Sequence, residues 1–261
     1  MDNFSAVLAG LSSDGVRSTV TPDDGWRQGR TLFGGIAAGL ALEAALRAFP
    51  ALPPLRSAQF AFVGPSAGTV EMTATMLRAG RSASFVEVKA MAESGPALQA
   101  TLCFGAPRSS TLAYSHLPPP DVLPAEECGD FFKEKFRPGF ADQFEGRFAG
   151  GARPVSSAAT PEILMWIRHR DAAAPDTASS LVVLGDVPPP AAFPMFTTPA
   201  PISTMTWSFE VLADTFQGAA WHLARSTADT VSDGYSSQSM TIWDAHGRPV
   251  LAGRQSVAIY A

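Results

Sequence analysis

Asp186 closes the apolar run Leu181–Gly185 and stands two residues before Pro188. Proline ends a helix, so this carboxylate is expected at a helix C-terminus, facing the negative end of the macrodipole. That placement raises its pKa and suits it to take a proton from a water; the plainer reading is a solvated turn residue. Gln255 lies in the last strand, on the same side as Leu251, Gly253, Val257 and Ile259. An amide on an apolar face needs partners: a bound water or carbonyl, or backbone near a sheet edge. Thr227 and Asp229 are two apart on a strand and point to one side. A threonine hydroxyl donates and accepts, so it could hold a water, or it could be an ordinary strand residue. Asp229, beside a glycine turn, reads as solvated. Gly34 and Gly35 open a helix. Free N–H groups there could polarise a carbonyl, and a tight turn would equally call for glycine. Glu43 is a further carboxylate, matched with Arg47 four residues on. Thr204, Thr206 and Ser208 alternate as the wet side of a strand.

Other chemistries have little support. The histidines (His116, His169, His222, His246) are scattered without ligand spacing, so no metal site is expected. The nucleophile-elbow pattern G-x-S-x-G and the phosphate-binding Walker loop are missing, and no cofactor is expected. The net charge is −5, and only Lys89, Lys133 and Lys135 are lysines. Nucleic acid and membrane surfaces are poor partners for such a chain. Two cysteines make no disulfide framework, and the opening "MDNFSAVLAGLSSDG" lacks a basic leader region. A cytoplasmic, reduced protein is expected.

These residues need elements to position them, and the chain supplies such elements twice. A helix over Gly35–Phe49, apolar on nearly every side, stops at Pro50; a second over Asp176–Asp186 takes Asp176 or Thr177 as N-cap. Each precedes two strands and then a hairpin: "RAGRSASFVEVKAMAESGPALQATLCFG" is echoed by "SDGYSSQSMTIWDAHGRPVLAGRQSVAIY". The Pro-rich "SHLPPPDVLPAEECGD" reads as a surface linker, and Phe131–Phe148 as a strand and short helix packed on the second half. The expected fold is α+β: two antiparallel sheets, each wrapped around a central helix whose glycine face lets strands approach. The two units pair edge to edge as a pseudo-dimer within one chain. The boundaries are residues 1–108, a linker over 109–135, and residues 136–261.

This order resembles the double hotdog of the acyl-CoA thioesterase II family. Leu32-Phe33-Gly34-Gly35 followed by "IAAGLALEAA" is similar to that family's Phe-Gly-Gly-Gln opening of the first hotdog helix, with Ile36 in place of the Gln. "MWIRHRDA" and the helix ending in "VVLGD" resemble the start of its second hotdog, and "GRPVLAGRQS" its last strand. The resemblance spans roughly 25–108 and 136–261. It implies hydrolysis of acyl-CoA thioesters, in fatty acid metabolism, by a positioned water without metal or covalent intermediate. By that resemblance Asp186, Thr227 and Gln255 are the catalytic trio; the helix start at Gly34 and Gly35, by its free N–H groups, is expected to hold the substrate carbonyl. Acyl-CoA is then the partner, and the pseudo-dimers could associate further into a homo-oligomer. The alternatives are a non-catalytic acyl-CoA or lipid binder, another hotdog enzyme such as a hydratase, or a purely structural role.

Overall fold

The computed structural model describes residues 1–132 and 137–261. Residues 133–136 lie outside the described part; they include Lys133, Lys135 and the expected boundary between linker and second unit. The first half runs α1 (Phe4–Gly10), β1 (Ser12–Asp14), β2 (Arg17–Val20), β3 (Arg27–Gln28), β4 (Thr31–Leu32), α2 (Gly34–Ala48), β5 (Leu55–Phe62), β6 (Val70–Ala79), β7 (Ala83–Ala92) and β8 (Gly95–Gly105). The second runs β9 (Phe144–Gly151), β10 (Glu162–His169), α3 (Ala178–Gly185), β11 (Ile202–Val211), β12 (His222–Ser232), β13 (Tyr235–Asp244) and β14 (Pro249–Ile259). Among the described residues no helix is long and apolar enough to cross a membrane.

Instead of the two sheets expected, twelve strands form one continuous antiparallel sheet, in the order β1-β2-β6-β7-β8-β5-β11-β14-β13-β12-β10-β9. The joint is β5 on β11, with Phe60 opposite Trp207 and Ala58 opposite Phe209. These aromatic rings stack across the seam, at 5.8 Å between Phe60 and Trp207. Backbone hydrogen bonds across this joint satisfy the edges of both strands, so neither half leaves an open edge there.

The two central helices lie against each other, with α2 also on β6, β7 and β8 and α3 on β10. Nine of the fifteen residues of α2 are buried, as its all-round apolar sequence demands. Ile36, Leu40 and Leu42 are among the fully enclosed side chains, each contributing about 1.5–3 kcal/mol. The glycine face serves a different neighbour from the one expected. A Cβ at Gly39 would stand 2.5 Å from Val183 Cγ2, and one at Gly35 2.7 Å from the Val183 carbonyl oxygen. The glycines thus admit the other helix rather than strands. Glu43 pairs with Arg47 as expected, Nε to Oε1 3.3 Å, and also accepts from Ser179 Oγ of α3 at 3.1 Å. The Arg47 guanidinium goes on to the carbonyls of Leu8 and Leu11, fixing the unexpected N-terminal helix α1.

The second helix begins at Ala178, two residues later than expected. Asp176 does not cap it: Oδ1 accepts from the Gly218 N–H at 2.7 Å, and Thr177 holds the cap position without a side-chain bond. The Pro-rich stretch is tied down by two indoles. Trp166 donates to the Leu123 carbonyl at 2.9 Å and Trp243 to that of Leu117 at 2.7 Å.

Candidate active site

The α3 helix delivers Asp186 to the start of α2. The last turn of α3 is apolar on every side, which draws it deep between sheet and helix, and the carboxyl at its end goes with it. A Cβ on Gly34 would stand only 2.6 Å from Asp186 Oδ2. The Gly35 N–H donates to the carboxylate. On the other side Gln255 Nε2 donates to Oδ1 at 2.7 Å. Burial pushes the Asp186 pKa up from 3.8 to about 7, against the pull of Gln255 and Gly35. The direction matches expectation; desolvation is its first cause, and the carboxylate that closes α3 also meets the positive end of α2.

Strand β14 carries Gln255 inward between Leu251 and Val257, both fully enclosed, and Gln255 itself is buried. Its carbonyl end has a partner that the sequence reading missed. Gln238 of β13, directly opposite in register, donates from Nε2 to Gln255 Oε1 at 2.7 Å. Gln238 Oε1 accepts in turn from the Ala191 N–H at 2.8 Å. The expected pairing of Gln255 with backbone at a sheet edge does not occur.

Thr227 is not part of this group. Its register partners are Glu162 on β10 and Ser239 on β13, and Ser239 is opposite Arg254, not Gln255. Strand alternation therefore turns Thr227 to the outer face, with Arg225 and Asp229. Its hydroxyl lies 3.4 Å from Glu162 Oε2, and Asp229 accepts from Arg254 at 2.7 Å. The inward neighbours are Ser226 and Ala228, both buried. Thr227→Val is accordingly expected to leave turnover within about twofold of the natural protein; a larger fall in a steady-state assay would return the hydroxyl to the site. Gly35 also differs from expectation: its N–H meets a carboxylate rather than standing free for a substrate oxygen. The structure thus joins Asp186, Gln255, Gly34 and Gly35, adds Gln238 and Ala191, and leaves Thr227 outside. Chemically, it presents one buried carboxylate, poised between charged and neutral near pH 7, at the start of a helix.

Known proteins of the same shape share this architecture. A hot dog fold protein of unknown function from Alicyclobacillus acidocaldarius superposes with TM-score 0.91 at 23% identity, covering 100% of this chain and 99% of its own. A putative thioesterase II from Thermobifida fusca gives 0.83 at 22% identity, covering 100% and 98%. The TesB protein of Mycobacterium avium subspecies paratuberculosis gives 0.82 at 18% identity, covering 99% and 100%. At such identities the likeness speaks for the hot dog fold alone. A search of curated proteins gave no match. Family models speak for descent: residues 22–105 match the acyl-CoA thioesterase N-terminal domain and residues 118–259 the acyl-CoA thioesterase C-terminal domain. The chain belongs to the acyl-CoA thioesterase family, carries both of its domains, and is an enzyme of the thioesterase class.

Proposed function

We propose that the protein hydrolyses acyl-CoA thioesters to a free acid and CoA through a water deprotonated by Asp186, using neither a covalent enzyme intermediate nor a metal. The observation that carries this reading is the buried Asp186 carboxylate, its pKa near 7, held between Gln255 and the first residues of α2. A base is most effective when its pKa lies close to the working pH. Oδ1 is engaged by Gln255, which leaves Oδ2, beside Gly34, to accept the proton. The water oxygen bonds to the thioester carbon, and the carbonyl oxygen takes up the negative charge near the positive end of α2. The tetrahedral species then collapses, the C–S bond breaks, and the departing thiolate recovers the proton from Asp186. We read each half, residues 1–108 and 136–261, as a hotdog unit with its sheet curled around a helix, joined by 109–135. Both units are needed, since α2 comes from the first while Asp186 and Gln255 come from the second.

The test is a panel of acyl-CoAs of graded chain length, with release of the CoA thiol followed by a thiol reagent. Turnover with at least one member is the expected result. A stabilising thermal shift with acyl-CoA but no thiol release from any would make the protein a binder instead.

A further inference from the structure

We infer that Gln238 is a positioning residue: it fixes which end of the Gln255 amide faces Asp186, and is itself fixed by the Ala191 N–H that follows Pro188–Pro190. The inference rests on the hydrolytic reading of the site. A side-chain amide has a donor end and an acceptor end of almost the same shape, so Gln255 alone does not determine its own orientation. A backbone N–H can only donate. The Ala191 N–H, 2.8 Å from Gln238, therefore requires the carbonyl end of Gln238 there and sends its NH2 toward β14. Gln255 must then accept at Oε1, 2.7 Å away, which leaves its own NH2 for Asp186, again at 2.7 Å. Reversing any one amide would press two donors or two acceptors together in a buried place, which is costly.

The prolines explain where the donor comes from. Three consecutive prolines carry no N–H. Val187 donates to the Leu184 carbonyl at 3.1 Å, so Ala191 offers the first free N–H after Asp186. The chain leaves Asp186, cannot donate for three residues, and returns a donor to the far end of the relay. The circuit Asp186–Gln255–Gln238–Ala191 closes on one loop.

Among the described residues, burial, Gln255 and Gly35 set the charge of Asp186, with no charged partner beside it. The start of α2 presents Gly34 and Gly35, β5 presents Phe62 beside Gly34, and β11 presents Trp207 opposite Gln255. None of these ionises. The first charged residue on α2 is Glu43, nine positions on, or about 13 Å along the axis. Residues Ala178–Gly185 carry no charge. On β14 and β12, Arg254 and Asp229 pair on the outer face. On β10, His169 lies at the other end of α3, against the Ser180 carbonyl.

The experiment compares the natural protein with Gln238→Met and Gln238→Glu in acyl-CoA hydrolysis from pH 5 to 10. Gln238→Met loses the donor to Gln255. The expected result is a kcat lower by about 10- to 100-fold with KM within about twofold, and a rising limb moved upward by about half a pH unit or more. Gln238→Glu mimics the natural amide only while protonated, with one oxygen for Ala191 and an O–H for Gln255. Once ionised it is an acceptor only and turns Gln255 round, so a plateau becomes a bell. An unchanged limb in Gln238→Met, or an unchanged plateau in Gln238→Glu, overturns the inference. The Asp186 carboxyl titration, followed by 13C NMR, reads the same orientation without turnover. If the natural protein releases no thiol, the hydrolytic reading fails. If the Asp186 midpoint is the same in Gln238→Met, the positioning role fails.

Discussion

Asp186→Asn is expected to lower kcat by about 10²- to 10⁴-fold, the contribution of a general base. The asparagine retains an oxygen for Gln255 and Gly35 but cannot take a proton from water. The natural protein is expected to show a kcat that rises tenfold per pH unit toward a plateau, with its midpoint at about 7, the Asp186 pKa. The sign follows from the base being active only when ionised. Stability moves the other way. The folded-state pKa of about 7 lies above the ordinary aspartate value of 3.8. Burial therefore favours the protonated form, and its stabilising effect is present in full below about pH 4. It is lost as pH rises through 7, at no more than about 1.4 kcal/mol for each pH unit. Asp186→Asn remains neutral throughout and escapes this loss. Thermal unfolding at pH 4 and pH 8 should bring the two proteins together in acid and leave the variant the more stable in base. A variant retaining more than a tenth of the natural kcat would remove Asp186 from the chemistry.

Gly34→Ala has the second largest expected effect, and it separates site from scaffold. Alanine is a better helix former than glycine by about 1 kcal/mol, so at an open position it would stabilise the helix. Here its Cβ would stand 2.6 Å from Asp186 Oδ2 and 3.3 Å from the Phe62 ring. The end of the carboxylate is the part able to move, and moving it takes the base off its line to the substrate. Displacements on the scale of 1 Å cost about 100-fold in rate. The expected outcome is a fall of that order in kcat with little change in melting temperature. Equal activity in the two proteins would show that Oδ2 is not the proton acceptor.

Most of the strands were legible because alternation and turn glycines are local signals. The hairpins β7–β8 and β13–β14 follow directly from them. The short first strands carry too few residues to show a period, and β9, eight residues long, has its alternation interrupted by Gly146, Gly150 and Gly151. Thr227 went astray for a reason that was partly readable. Arg225 and Asp229 flank it at spacing two, and two charges on one side mark a wet face, whereas Ala224, Ser226 and Ala228 alternate as small inward residues. Gln238 was hidden by a bulge. Counting back from the β13–β14 turn with Trp243 opposite Pro249 would set Gln238 against Arg254; the register shift between Ile242 and Trp243 sets it against Gln255 instead.

Sequence alone determined the two apolar helices, the Asp at the end of the second and the inward Gln of the last strand, because each depends on spacing within one element. Only the tertiary structure decided that both halves share one sheet, that the α2 glycines receive α3, and that Asp186 meets Gly35 and Gln255 but not Thr227. These outcomes depend on register, on which face turns inward, and on how closely two helices approach. Register and helix approach are set by packing among residues far apart in the chain, and no local pattern encodes them, whereas the inward face of a strand is written in part in its own alternation.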